Sequence, residues 1–122
     1  MLSVQLDRKG NLLIARVAGI VPSGSEGNQT VAPARDQILR AIDGDPSLTS
    51  LLLDFSRLQY SFGDSVGSLW ILPWQRRLAV VILATGATAA ALRSLIALSI
   101  PVPLVSEEAE AIRLCESTQQ RR

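Results

Sequence analysis

The chain opens with "LSVQL", residues 2–6, where apolar and polar positions alternate, followed by the turn-like "DRKGN". "LLIARVAG" comes next, so residues 2–18 read as a β-hairpin with Gly10 and Asn11 available for positive φ. "IVPSGSEGNQ" is a loop by its Pro, Gly and Ser content. Thr30 is placed to cap a helix in which Pro33 sits in the first turn. Val31, Ala34, Ile38, Ala41 and Ile42 recur at helical spacing and define one buried face, and "DGDPS" stops the helix.

"LTSLLLDF" is a short, nearly continuous apolar run, the pattern of a strand buried on both faces, and a polar loop is expected after Asp54. Residues 64–72 can form a short helix that Pro73 must end or kink. "RLAVVILATG" is a second strongly apolar strand. "TAAALRSLIALS" reads as a helix with Leu92, Leu95 and Ile96 on one face. "IPVPLV" is extended and confined to a sheet edge or end by Pro101 and Pro103. In "SEEAEAIRLCES", Ser106 reads as N-cap and Glu107 and Glu108 fall in the first turn, where the helix dipole favours negative charge. Cys115 falls on the apolar side of that helix with Ala109 and Ile112, and "TQQRR" reads as a frayed end.

The order is β-β-α-β-α-β-α-β-α. Strands alternating with helices after a hairpin predict an α/β fold: a mixed sheet, its central strands parallel, covered by helices. At 122 residues the chain has the length of one domain, 1–122.

Composition narrows the function. Twelve basic residues against eleven acidic ones leave a net charge of +1, with no electrostatic footprint for nucleic acid. The apolar runs fall short of the roughly 18 to 20 residues that span a bilayer, so no membrane association is expected. Charge in "MLSVQLDRKG" occupies the place of a signal peptide's apolar stretch, and the single Cys115 fits a reducing cytoplasm. With no histidine and one cysteine, the common metal-site spacings and Ser-His or Cys-His arrangements are absent, so neither a metal nor a cofactor is expected. No carboxylate, base or nucleophile is placed by the sequence to work with Asp54, which reads as solvated or capping the following turn.

The informative stretch is "LLLDFSRLQYSFGDSVGSLW", residues 51–70. Asp64 and Ser65 stand at a plausible helix start, where either can cap backbone N–H groups and where a phosphate would be tolerated. Tyr60, Phe62, Trp70 and Trp74 place four of the five aromatic residues within fifteen positions, with Arg76 and Arg77 beside them. Such a cluster either holds the loop to the sheet or anchors a partner.

Element order and length, with "VAG" closing the second strand, "LLLDFSRL", "RLAVVILATGATAAALRSLIAL" and "SIPVPLVSEEAEAI", resemble the STAS domain of bacterial anti-sigma-factor antagonists and stressosome proteins. The resemblance covers nearly the whole chain. It implies a mixed sheet of about five strands with about four helices packed mainly on one side. It also implies a non-catalytic protein-protein interaction module in bacterial signalling, acting in the cytoplasm. Its partner would be a kinase- or anti-sigma-factor-like protein, another STAS protein, or a second copy of the chain in a homodimer. The binding loop and helix would comprise Tyr60, Phe62, Gly63, Asp64, Ser65, Trp70, Trp74, Arg76 and Arg77.

In phosphorylatable members the corresponding strand leads to Asp-Ser-(Ser/Thr)-Gly-Leu at a helix start, and phosphorylation of the first serine by the partner kinase breaks binding. Matching motif to motif puts Asp64, Ser65, Val66 and Gly67 on that pattern but needs two extra residues, and makes Ser65 the phosphoacceptor. Matching without a gap puts Phe62 on the family's Asp and Gly63 on its acceptor, with Val66, Gly67 and Leu69 on Leu-Gly-x-Leu. "SVGSL" favours the gap-free match, in which the switch is lost and Ser65 is turned toward the sheet or used as a cap. A second, local resemblance links "DPSLTSLLLDFSRLQYSFGDSV" to the segment before the oxyanion hole of crotonase-fold acyl-CoA enzymes. It would make the chain a small acyl-CoA or ligand binder acting through backbone amides near Phe62 and Gly63. That fold needs about twice this length, and "LAVVILATG" reads as a strand where it has a Gly-rich turn.

Overall fold

A computed structural model describes residues 2–22, 24–60, 63 and 65–120, with backbone alone at 118–120. The hairpin is β1 (Ser3–Lys9) and β2 (Leu12–Ile20), joined at Gly10, which takes the positive φ of 61°. Helix α1 (Ser25–Asp43) follows, then β3 (Ser50–Gln59), a 3-10 turn (Ser65–Gly67) and α2 (Ser68–Gln75). The chain closes with β4 (Ala79–Leu83), α3 (Gly86–Ala97), β5 (Leu104–Val105) and α4 (Glu108–Gln120). The element order is the one the hydrophobic pattern predicts.

Several boundaries differ, each for a tertiary reason. Helix α1 begins five residues before Thr30, so Thr30 is not its cap and Pro33 lies well inside the helix. The early turns are held by close packing: a Cβ on Gly27 would stand 2.4 Å from the Pro22 carbonyl oxygen and 2.8 Å from Ser65 Oγ. Only glycine lets the helix approach the preceding loop this closely. Pro33 lies on the exposed side, where the carbonyl it leaves without a donor can reach water.

Strand β3 runs to Gln59, so "SRLQ" is strand and not the polar loop expected after Asp54. Helix α2 continues two residues past Pro73, because Leu69, Trp70 and Pro73 itself are buried against the body of the fold. Helix α4 starts at Glu108, with the Glu107 carbonyl accepting from the Ala111 N–H at 3.1 Å. Ser106 therefore lies one residue ahead of the capping position. The helix continues through Gln120, taking in the first three residues of "TQQRR". The last two, expected to fray, lie outside the described residues.

The sheet order is β1-β2-β3-β4-β5, with β1–β2 antiparallel and the other pairs parallel. Leu51, Leu52 and Leu53 pair with Val80, Val81 and Ile82, and all six side chains are buried. Helices α1, α2 and α3 cover one face. There Leu13, Ala15, Val17, Leu51, Leu53, Phe55, Val80 and Ile82 meet Val31, Ile38, Leu69, Trp70 and Leu92. Helix α4 covers part of the other face, packing Ala111 and Cys115 on Leu12, Ile14, Leu52 and Val81. Two covered faces explain why the central strands read as continuous apolar runs rather than alternating ones. Cys115 is core as expected, but its buried companion is Ala111; Ala109 is exposed.

Candidate functional site

The end of β3 is held by the start of α3. Thr88 Oγ1 donates to the Leu58 carbonyl at 2.8 Å and accepts from the Tyr60 N–H at 3.4 Å. Tyr60 is buried, and its hydroxyl donates to the carbonyl of Gly63. Gly63 is exposed with φ 112°, a conformation that side chains of L-residues rarely adopt. Ser61, Phe62 and Asp64 lie outside the described residues, and with them the cap expected at Asp64 and the backbone amide expected at Phe62. Ser65 is half-buried and opens the 3-10 turn, two residues before the Gly67 cap of α2, so it does not cap that helix. Its hydroxyl points at the first turns of α1, beside Gly27, and not toward the sheet. Asn28, Val31, Arg35, Ser65 and Ser68 line a shallow groove there between α1 and the start of α2.

The aromatic residues separate. Tyr60 and Trp70 belong to the core, Trp70 with none of its surface exposed and its indole N–H donating to Ser99 Oγ at 3.3 Å. Trp74 is 50% exposed. It lines an open hollow with Gln75, Arg77 and Leu78 at the far end of α2, about 15 Å along the helical path from Ser65. Arg76 staples α2 to α1: Nε and Nη2 donate to the two Asp43 carboxylate oxygens at 2.7 and 3.2 Å. This pair holds the Asp43 carboxyl below its ordinary range. Arg77 adopts φ 67° where a helix end usually has glycine, and Leu78 N–H closes back on the Pro73 carbonyl at 3.4 Å.

A polar cluster that sequence reasoning did not single out lies on the α4 face. Arg16 Nη1 donates to Asp54 Oδ2 at 2.7 Å and to Glu108 Oε1 at 2.6 Å, and Nε lies 3.4 Å from Asp7 Oδ2. Asp54, only 7% exposed, also accepts from the Ser56 N–H at 3.0 Å and the Ser56 hydroxyl at 2.6 Å. Its carboxyl is thus neither solvated nor capping a turn. It holds a β-bulge: Arg16 pairs with Asp54 and Ala18 with Arg57, so Phe55 and Ser56 together oppose Val17. Burial pushes the Asp54 carboxyl up, and the bonds from Ser56 and Arg16 outweigh it and hold the group below its ordinary range. The "DFS" of the strand and the lone arginine in "LLIARVAG" were the available signals. The cluster ties three strands to the start of α4, and each charge has a partner.

Burial, and secondarily Glu116, push the Cys115 thiol up to about 12, so it stays protonated at neutral pH. No group of metal-ligating side chains occurs among the described residues, and no described helix is long and apolar enough to cross a membrane.

No family model matches the chain, and no curated protein matches it. Solved structures do. An anti-sigma factor antagonist from Mycobacterium paratuberculosis is 20% identical over 95% of both chains, with a TM-score of 0.66. An RsbS variant from Moorella thermoacetica is 14% identical over 96% of this chain and 97% of its own, with a TM-score of 0.71. SpoIIAA in its unphosphorylated form, an anti-sigma factor antagonist, is 20% identical over 98% of both, with a TM-score of 0.56. At such identities the likeness establishes the fold. This chain has the STAS-like α/β fold of anti-sigma-factor antagonists: a five-stranded mixed sheet with helices on both faces.

Proposed function

We propose that this chain is a non-catalytic protein-protein interaction module in bacterial signalling. Its partner-binding surface would run about 15 Å along α2, from Gly63 and Ser65 to Trp74. The observation that carries the reading is Gly63, exposed between β3 and the 3-10 turn, where the gap-free match puts the family's phosphoacceptor. Glycine has no hydroxyl to modify, so partner binding there escapes phosphorylation and is set by abundance or competition. The neighbouring serine does not replace it, because the Ser65 hydroxyl is turned into the α1 contact. Tyr60 and Trp70 support this surface from within, Arg76 fixes α2 to α1 at its exposed end, and exposed Trp74 is its aromatic anchor. The partner is a kinase- or anti-sigma-factor-like protein or another STAS protein.

The test is a pull-down from the source organism with mass spectrometry, followed by binding measurements with the captured protein. Trp74→Ala should weaken binding by about 2 kcal/mol or more and leave thermal stability nearly unchanged. If the captured partner is a kinase, incubation and phosphate mapping should find no modification at Ser65. Stoichiometric phosphate on Ser65, abolished in Ser65→Ala, restores the phospho-switch and sinks the constitutive reading.

A further inference from the structure

The two edges of the sheet are built differently. β5 is two residues long and approached through Pro101 and Pro103, so it offers no continuous template for another strand. β1 is seven residues long, free of proline and bulges, and among the described residues pairs with β2 alone. Charged side chains commonly guard such an edge, but here they are drawn back into their own chain. Arg8 bonds the Gly10 carbonyl, Asp45 and Ser47; Lys9 pairs with Glu116; Asp7 lies against Arg16. Between them and the N-terminus stand Ser3, Val4, Gln5 and Leu6. Val4 and Leu6 are half-buried against the main core and left open on the edge side.

We propose that two copies of this chain join edge to edge through β1, antiparallel about a two-fold axis at Gln5, to make one continuous sheet across the dimer. The two-residue turn makes Lys9 and Leu12 a hydrogen-bonded pair, so by alternation the main-chain groups of Val4 and Leu6 point away from β2, toward the open edge. With the axis at Gln5, Val4 meets Leu6 of the second copy and Leu6 meets its Val4. These two pairs exchange four backbone hydrogen bonds and cover the apolar side chains left half-open. On the opposite face Gln5 meets its own copy and Ser3 meets Asp7, so no like charges are opposed.

Registers shifted toward the turn are worse. An axis at Leu6 puts Val4 opposite Arg8, and an axis at Asp7 sets two aspartates against each other. The closed two-fold uses up both free edges, so pairing stops at the dimer. β1 contributes no residue to the surface between Gly63 and Trp74, so that surface stays available on each copy.

The register makes the test specific. Gln5→Cys places two thiols directly opposite in a non-hydrogen-bonded pair, and mild oxidation should convert the protein to a covalent dimer. Ser3→Cys, which faces Asp7 of the second copy, should cross-link at least tenfold more slowly. Cys115 is buried and does not compete. Gln5→Arg sets two guanidinium groups opposite each other on an exposed position; it should shift the wild-type dimer to monomer in sedimentation equilibrium while circular dichroism shows the fold retained, with a melting temperature lowered by the lost dimer and by the adjacent Arg16. A wild-type chain that is monomeric at about 1 mM, a dimer that survives Gln5→Arg, or cross-linking no faster in Gln5→Cys than in Ser3→Cys overturns the proposal.

Discussion

Replacing Arg16 with methionine keeps the stem of the side chain and removes the guanidinium from three carboxylates. Two of them, Glu108 and Asp7, are 43% and 46% exposed and return to water at little cost. Asp54 is different, because its side chain is 9% exposed and bonded to Arg16 at 2.7 Å. A hydrogen bond between charged groups contributes roughly 1.5–3 kcal/mol, and Arg16 is itself 36% exposed, so solvent screening argues for the lower half of that range. Arg16→Met should therefore cost about 2 kcal/mol at pH 7, or on the order of 8 °C in melting temperature for a chain of this length.

The pH dependence separates this cause from a loss of packing. In the wild type Asp54's folded pKa lies below its unfolded value, so its contribution is present at neutral pH and is lost as pH falls through the folded pKa. Without Arg16, burial is opposed only by Ser56, the folded pKa rises, and the buried carboxylate is carried at neutral pH with less compensation. The difference between wild type and variant should hold near neutral pH, begin to shrink once the variant's Asp54 protonates, and go on shrinking as pH falls toward the lower folded pKa of the wild type. Urea unfolding followed by circular dichroism at several pH values measures it. Adding Asp54→Asn to Arg16→Met should recover part of the loss, since asparagine still accepts from the Ser56 N–H. A penalty that stays constant from pH 7 to pH 3, with no recovery in the double variant, would refute the ion-pair account.

Two further outcomes follow from packing. Leu52→Asp buries an uncompensated charge between β3 and α4, and should cost several kcal/mol and leave the chain largely unfolded by circular dichroism. Gly27→Ala, which by helix propensity alone would stabilise α1 by roughly 1 kcal/mol, should instead destabilise by about 1–3 kcal/mol. A higher melting temperature for this variant would show that the contact with Pro22 yields easily.

What the sequence determined by itself was the ordering of strands and helices, and through it the fold. Leu51–Leu53 and Val80–Leu83 are apolar at every position because both faces of those strands are covered, and that signal survives without any knowledge of the partners. Local chemistry likewise announced the stop of α1 at Gly44, the edge position of β5 and the glycine at residue 63. Tertiary structure decided the rest. Helix α1 starts at Ser25 because Gly27 can sit against Pro22 and Ser65, a contact between segments far apart in the chain. The aromatic residues, close together in sequence, are divided by a helix that points Trp70 inward and leaves Trp74 at its outer end. Arg16, Asp54 and Glu108 lie 38 and 92 positions apart along the chain, so no spacing rule could unite them. They meet because β2 and β3 pair in parallel and α4 begins above them, and the charge of each is sustained by neighbours that only the folded chain supplies.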